Sequence, residues 1–563
     1  MIGISLGVTG GGFAPSPYAI GGLPAQFVYD PVRSRFRVDG RAVTAAVAMP
    51  TARASTGTYV NAEGQLVTAA INAPRFPHHV WNGSAWENVG QLLESEARTN
   101  LVPLSIPAAP GWSAAGTTLT PNSISSPAGI VDATKLVATT ANAEHYLEET
   151  FAVTSGTQYT FSVFLKKLGY SNVAFRITAP GFVDNAFVNV NMDNGTVASG
   201  TGTIDSLGVQ DFGNGWLRVH MVRTANSNNT ALLRIQPNTT AAYVGDDASG
   251  AYVWGAQAEQ GATPSSYIAT SGAAVTRAAE TLVAPADNLP SPPVEYIGDE
   301  LVTNGTFDDG LTNVTDASSG ASSVTVAGGV LTFNVVGGDN ARAQIPFSVE
   351  AGKVYEVSTV GTLPSFAIGT TAGGTTILAY ANAAVRSFVA TFTGTYWFNT
   401  ATGGATGLTL ETVSVREIKE PAVTIHVKGR VTYADQGTYG TAVFYDWLGD
   451  TSNRLILNLD TDSALTGRIT AQQRVSGIID YGISASELTP GVQVPFSVAV
   501  RHTSTAIQSA NDGSAGAADT TPLGLADLSS APLKIGPTFM GTIELVRIVL
   551  GDVGESGIEG ATS

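Results

Sequence analysis

The side chains of this chain best suited to chemistry are aromatic rings beside polar groups. Tyr396-Trp397-Phe398 and Tyr445-Asp446-Trp447 are clusters of the kind that stack on the apolar face of a sugar, with Asn, Asp or Arg hydrogen-bonding beside the ring. Neighbouring strand residues point to opposite faces, so part of each aromatic cluster belongs to the core. Trp397, Tyr445 and Trp447 are the candidate ligand-binding residues, and Trp216 and Trp254 are assigned to the core. Polysaccharide cleavage needs two carboxylates, roughly 5 Å or roughly 6.5–9.5 Å apart. The 45 acidic residues single out no such pair. Gly3-Ile4-Ser5-Leu6-Gly7 matches Gly-x-Ser-x-Gly in letters, but the Gly- and Pro-rich stretch around it does not read as the strand-turn-helix of a nucleophile elbow. The histidines (His78, His79, His145, His220, His426 and His502) show no zinc-ligand spacing, and His78-His79 reads as a surface turn. Gly245-Asp246-Asp247-Ala248-Ser249-Gly250 lacks the alternating acids of an EF-hand loop and reads as a solvated turn. No catalytic residue is assigned, and the chain is expected not to be an enzyme.

The elements that must position these groups are strands. With 63 Gly, only 13% charged residues and abundant Thr, Ser, Asn and Val, the composition favours short strands joined by tight turns. Long helical periodicity is missing, which argues against a coiled-coil shaft. A length of 563 residues allows roughly three to five domains. The net charge of −17 repels a phosphate backbone, so no nucleic-acid partner is expected. The absence of Cys excludes disulfides, Cys-ligated metals and thiol nucleophiles. No apolar run reaches the ~18 residues of a membrane helix, so no membrane insertion is expected. The N-terminus lacks a basic segment followed by a long apolar core. Export, if any, is expected to occur by assembly or lysis.

Along the chain, residues 1–45 are rich in Gly, Pro and Ala and read as an extended arm that orders on a partner, or as a disordered tail. Residues 46–100 hold small hairpins, one around Asn61-Ala62-Glu63-Gly64 and one around Asn82-Gly83. Residues 101–280 carry alternating strands, among them Tyr159, Phe161, Val163 and Leu165, and predict a jelly-roll sandwich. Residues 281–295 form a Pro-rich linker, 296–420 a second β-sandwich, and 421–563 a third. The pattern F-x-V-x-x-G-x-x-Y occurs at Phe151–Tyr159 and again at Phe347–Tyr355. It predicts the same strand-turn-strand unit in the first two sandwiches. The fold class is therefore all-β, with tandem jelly-roll or sandwich modules behind an N-terminal arm.

Three stretches then resemble a common type of bacteriophage and prophage tail protein. They are Ala52–Val60 with Pro74-Arg75-Phe76, Leu92–Leu101, and Gly250–Glu259 with Pro264–Ile268 and Val275–Ala278. The resemblance covers about residues 50–280 and implies a jelly-roll, carbohydrate-binding-like module. The end of the chain, with Phe496–Val500, Leu533–Gly536 and Phe539–Ile543, is similar to concanavalin A-like and laminin G-like domains. Val302–Gly310 is similar to the opening of galactose-binding-like modules. That likeness implies a structural Ca²⁺ held by Asn304, Asp308, Asp309 and Glu411, and no other cofactor. Together these likenesses imply a tail fibre or tail-tip protein located on the virion. It is expected to attach through its N-terminal arm to other tail or capsid proteins, to form a homotrimer, and to bind host surface polysaccharide. The alternatives are a head fibre or capsid decoration protein, and a glycan depolymerase.

Overall fold

Alternating β-branched and aromatic residues, set between Gly-, Asn- and Asp-bearing turns, place almost the whole chain in antiparallel strands. A computed structural model describes residues 17–563 apart from 109, 179, 291–294, 363, 383, 420, 436, 438, 439, 463, 476 and 523. The all-β, sandwich-type architecture expected from composition is present. Among the described residues no helix is long and apolar enough to cross a membrane.

The last sandwich is assembled from both ends of the chain. One sheet runs Arg41–Val43, Arg35–Val38, Phe27–Asp30, Met540–Leu550, Ala422–Tyr433, Gly491–Thr503, Ile507–Asn511 and Ser514–Ala515, and Gln91–Glu94 also pairs with Met540–Leu550. The other runs Thr51–Arg53, Glu280–Ala284, Leu533–Ile535, Thr441–Leu448, Arg454–Asp460, Ile469–Val475 and Ile478–Ile483. Phe27, Tyr29, Phe444, Phe496 and Ile548 lie in the core they enclose. This sandwich is a frame, and the other two modules are insertions in it. The reading of 1–45 as an extended arm is thereby corrected. Phe27-Val28-Tyr29-Asp30 is buried throughout, and Phe27 pairs with Ile548. The linker reading of 281–295 is corrected likewise, since Glu280–Ala284 is a strand between Thr51–Arg53 and Leu533–Ile535. Residues 1–16 and 291–294, which belong to those two readings, lie outside the described residues. Residues 46–100 do hold the expected hairpins, Gly57–Val60 with Leu66–Ala69 and His79–Trp81 with Trp86–Asn88. They also supply strands to the frame, however.

The first two modules share one strand order. In the first, Tyr146–Val153, Asn229–Gln236, Asn172–Thr178 and Ala186–Asn191 lie side by side. In the second, Ala343–Val349, Gly394–Ala401, Ser365–Gly369 and Leu378–Ala381 do the same. The facing sheets correspond too: Gly250–Gln260, Gln158–Leu168 and Trp216–Thr224 match Thr412–Lys419, Val354–Val360 and Val385–Val389. The repeated sequence pattern builds the crossing from one sheet to the other. Gly156 and Gly352 turn in the left-handed region, at φ 75° and 81°. Their amides donate to Ala225 O and Ala390 O, each at 2.8 Å. Tyr159 and Tyr355 are buried, and their hydroxyls accept from the Thr154 and Glu350 amides, each at 2.9 Å. Each hydroxyl thus satisfies a backbone donor that the turn leaves without a ladder partner.

The motifs that carry the tail-protein resemblance converge on a buried ion cluster. Arg53 pairs with Glu280, Arg75 with both Glu94 (2.7 Å) and Glu280 (2.5 Å), and Arg277 approaches Glu94 at 3.2 Å. All five side chains are buried. Ser266 of the first module donates to Glu94 from its amide and its hydroxyl, at 2.7 and 2.6 Å. Burial alone would raise the Glu94 carboxyl, but Arg277, Arg75 and the Ser266 hydrogen bonds together hold it well below the ordinary carboxylate range. The cluster is a joint that ties the first module to the frame.

Candidate functional site

In a strand whose alternate residues enter the core, the intervening residues form the outer face. Val173, Phe175 and Ile177 are buried, as are Ala231, Leu233 and Ile235, so Arg176 and Arg234 point outward from neighbouring strands. Pairing brings them directly opposite each other. Glu148 lies opposite Arg234 on the far side, and Phe187 opposite Arg176. The row Glu148–Arg234–Arg176–Phe187 therefore crosses four adjacent strands, roughly 14 Å of the sheet.

The two arginines are held differently. Arg234 donates from Nε to Glu148 at 2.8 Å and lies 3.8 Å from the centre of the Tyr146 ring, with Glu144 at 3.6 Å. Arg176 lies 4.8 Å from the centre of the Phe187 ring. Phe187 can lie flat because position 200 is glycine: a Cβ there would stand 2.0 Å from the ring. Arg176 makes no hydrogen bond or ion pair among the described residues, and its Nε is buried without an acceptor. Burial first, and then the charge of Arg234, lower its pKa from the ordinary guanidinium value, while Glu144 acts the other way. Gln236 and Asn189 flank Ala174 one row along. Gln236 Oε1 and Asn189 Oδ1 are likewise buried without a partner. Most buried polar atoms have a protein or water partner, so these three are open to one.

The residues singled out from sequence fare unequally. Trp397 is half-buried on the outer face of the second module, between inward-facing Tyr396 and Phe398. Tyr445 and Trp447 are no platform, because both are core residues. Tyr445 Oη meets His502 Nε2 at 2.8 Å, and Trp447 Nε1 donates to Ala531 O at 3.0 Å. A register shift between Val443 and Tyr445 breaks the alternation on which the reading relied. His78-His79 is not a surface turn: both rings are buried, and His78 Nδ1 accepts from the Val60 amide at 3.0 Å. Trp216 and Trp254 are buried as expected. Asp246 is used within its own loop, accepting from the Ala248 and Ser249 amides.

For the implied calcium set, Asn304 closes its own turn. Its amide nitrogen donates to Gly310 O and Thr312 O, and its oxygen accepts from the Asp309 amide. Asp308 accepts from the Thr306 hydroxyl, and Glu411 is exposed between Thr409–Leu410 and Thr412–Lys419. Among the described residues no three His, Cys, Asp or Glu side chains group around a metal position.

A cavity of about 70 Å³ beside the joint is lined by His78, Glu94, Arg218, Tyr267, Gln493 and Met540. It has room for a few waters at most and shares the charges of the joint. The Arg176 row is the better candidate, since it is open and its cation lacks an acid of its own. Outward Arg residues in two strands, each followed by Ile (Phe175-Arg176-Ile177 and Leu233-Arg234-Ile235), were a usable sequence signal for it. No model of a known protein family matches this chain, and no curated protein matches it either.

Proposed function

We propose that this chain is a non-enzymatic bacteriophage structural protein, of tail-fibre or tail-tip type, that binds host-surface glycans through the outer face of its first module. The observation that carries the reading is the Arg176 row, with its ring-backed guanidinium and the partnerless amide oxygens beside it. Rings, guanidinium donors and amides on one open sheet face are the groups that recognise saccharides. Both carboxylates of the face lie on Arg234, which favours binding over acid–base work. Attachment to the particle would use the frame, in which Phe27–Asp30 pairs with Met540–Leu550. There Arg547 donates to Ala19 O and Ala561 O, at 3.0 and 3.3 Å. Assembly as a homotrimer would multiply weak single-site binding into firm adhesion.

The test combines a glycan array, host-cell binding by the purified chain, and location of the protein on the particle by cryo-EM. Glycan binding with a position at the tail tip is the expected result. A blank array together with no cell binding overturns the reading, and a capsid location would assign the chain to decoration instead. Release of reducing ends from host polysaccharide would overturn the non-enzymatic part.

A further inference from the structure

The manner in which Arg176 is held narrows the ligand class. A neutral sugar is recognised chiefly by an open aromatic face, but here Phe187 and Tyr146 each carry a guanidinium against the ring. A guanidinium stacked in this way keeps its in-plane N–H groups free to grip an oxyanion by two parallel hydrogen bonds. The terminal nitrogens of Arg176 have no acceptor among the described residues, and the side chain is only partly buried. Like charges directly opposite on a sheet destabilise it. Arg176 nevertheless faces Arg234, and Arg234 already has Glu148 at 2.7 Å. Glu144, the other acid nearby, stands 3.6 Å from Arg234 and is half exposed.

We propose that the outer face of the first module binds a carboxylate-bearing polysaccharide, with the carboxylate of one sugar gripped by Arg176. The inference rests on the glycan-binding reading above and sharpens it to a charge class. Arg176 would clamp the carboxylate, and the neighbouring, partly exposed Asn189 amide would take a hydroxyl of the same strand of sugar.

The probes are oligogalacturonate, hyaluronate and polysialate, each with its methyl-esterified counterpart, plus a phosphate-bearing polyol polymer and neutral dextran. Titration calorimetry on the intact chain is expected to show binding to at least one acidic probe. That binding should weaken as salt is raised and fall at least about tenfold on esterification or in Arg176→Gln, a loss typical of one charge-assisted contact. Arg176→Lys keeps the charge without the fork and is expected to fall between the two. Unchanged near-ultraviolet dichroism certifies the fold of each variant. Equal binding of acid and ester, or full binding by Arg176→Gln, overturns the proposal. So does binding confined to neutral glycans, which would leave the broader reading standing, or to the phosphate polymer, which would move the site to another anion class. Binding to no glycan of any kind fells both.

Discussion

The first two modules repeat one strand order and one hydrogen-bonded crossing, yet their corresponding outer faces share almost no chemistry. Aligning Phe151 with Phe347 through the pairing places Gln344 where the first module has Glu148, Asn399 for Arg234, and Ala367 for Arg176. The charged row of one copy is a small, neutral row in the other. Asn399 is also occupied: its oxygen accepts from the Gly373 amide at 2.7 Å, and its nitrogen donates to Gly374 O at 2.9 Å. A loop thus takes the groups that the first module leaves open. The fold comes from residues that point inward and from the tyrosine at the crossing, so the outward residues are free to differ. Function can sit on one copy without any trace in the shared pattern.

The copies also differ in how they are fastened, and breaking that difference should give the largest effect. The first module is tied to the frame by the five-residue ion cluster, whereas no strand of the second pairs with the frame among the described residues. Glu280→Ala leaves Arg53 and Arg75 buried without this partner, which should cost about 3–5 kcal/mol. Hydrogen exchange on the full chain should show lost protection in Gln91–Glu94 and Met540–Leu550, with Val354–Val360 unchanged. Equal loss in Val354–Val360 would show that the second module depends on the joint as well.

Acid should separate the modules next. His78 and His502 are held neutral by burial, with pKa values lowered to about 3, and His426 is held well below the ordinary value by burial and by Arg547. A histidine with a depressed folded pKa stabilises fully above its unfolded pKa near 6.5 and loses that contribution as pH falls toward the folded value. All three lie in the frame and its hairpins, and residues 296–420 contain no histidine. Between about pH 6.5 and pH 5.5 the frame should lose on the order of 1 kcal/mol per histidine, roughly 3 in total. Urea denaturation followed by exchange of frame and second-module peptides measures it. A second module that weakens in parallel with the frame would contradict the assignment.

The tyrosine crossings test how alike the copies are beneath their faces. Tyr159→Phe and Tyr355→Phe each remove one buried hydroxyl and strand one amide, so each should cost about 1 kcal/mol in its own module. A large inequality would mean that the repeated pattern is only a likeness of sequence. That device was legible in the sequence because every part of it, from Phe to Gly to Tyr, is local. The frame was not legible, since Phe27–Asp30 meets its partner strand at the other end of the chain, and pairing at that range leaves no local signal. The Arg176 row lay between these cases. Its outward residues could be read from alternation, but the adjacency of Arg176, Arg234 and Glu148 depends on register between strands far apart in sequence. Trp447 misled because the register shift beside Tyr445 sets both rings of its triplet into the core.

The smallest effect is expected at Trp397, and it decides whether the second copy is silent. Trp397 occupies the position of Leu232 in the first module and pairs across to Pro346 and Gly369, with the Asn399 amide donating to its carbonyl at 3.1 Å. The ring is half-buried, and its outward neighbour Asn399 already serves the Gly373-Gly374 loop, so little hydrogen-bonding capacity remains around it. Trp397→Ala should therefore change affinity for an acidic glycan by less than about threefold, under 1 kcal/mol. Arg176→Gln measured in parallel supplies the contrast. A loss at Trp397 as large as that at Arg176 would show that the face closed by its loop still binds. Binding would then belong to the shared fold, and the charged row of the first module would be one variant of a site present in both copies.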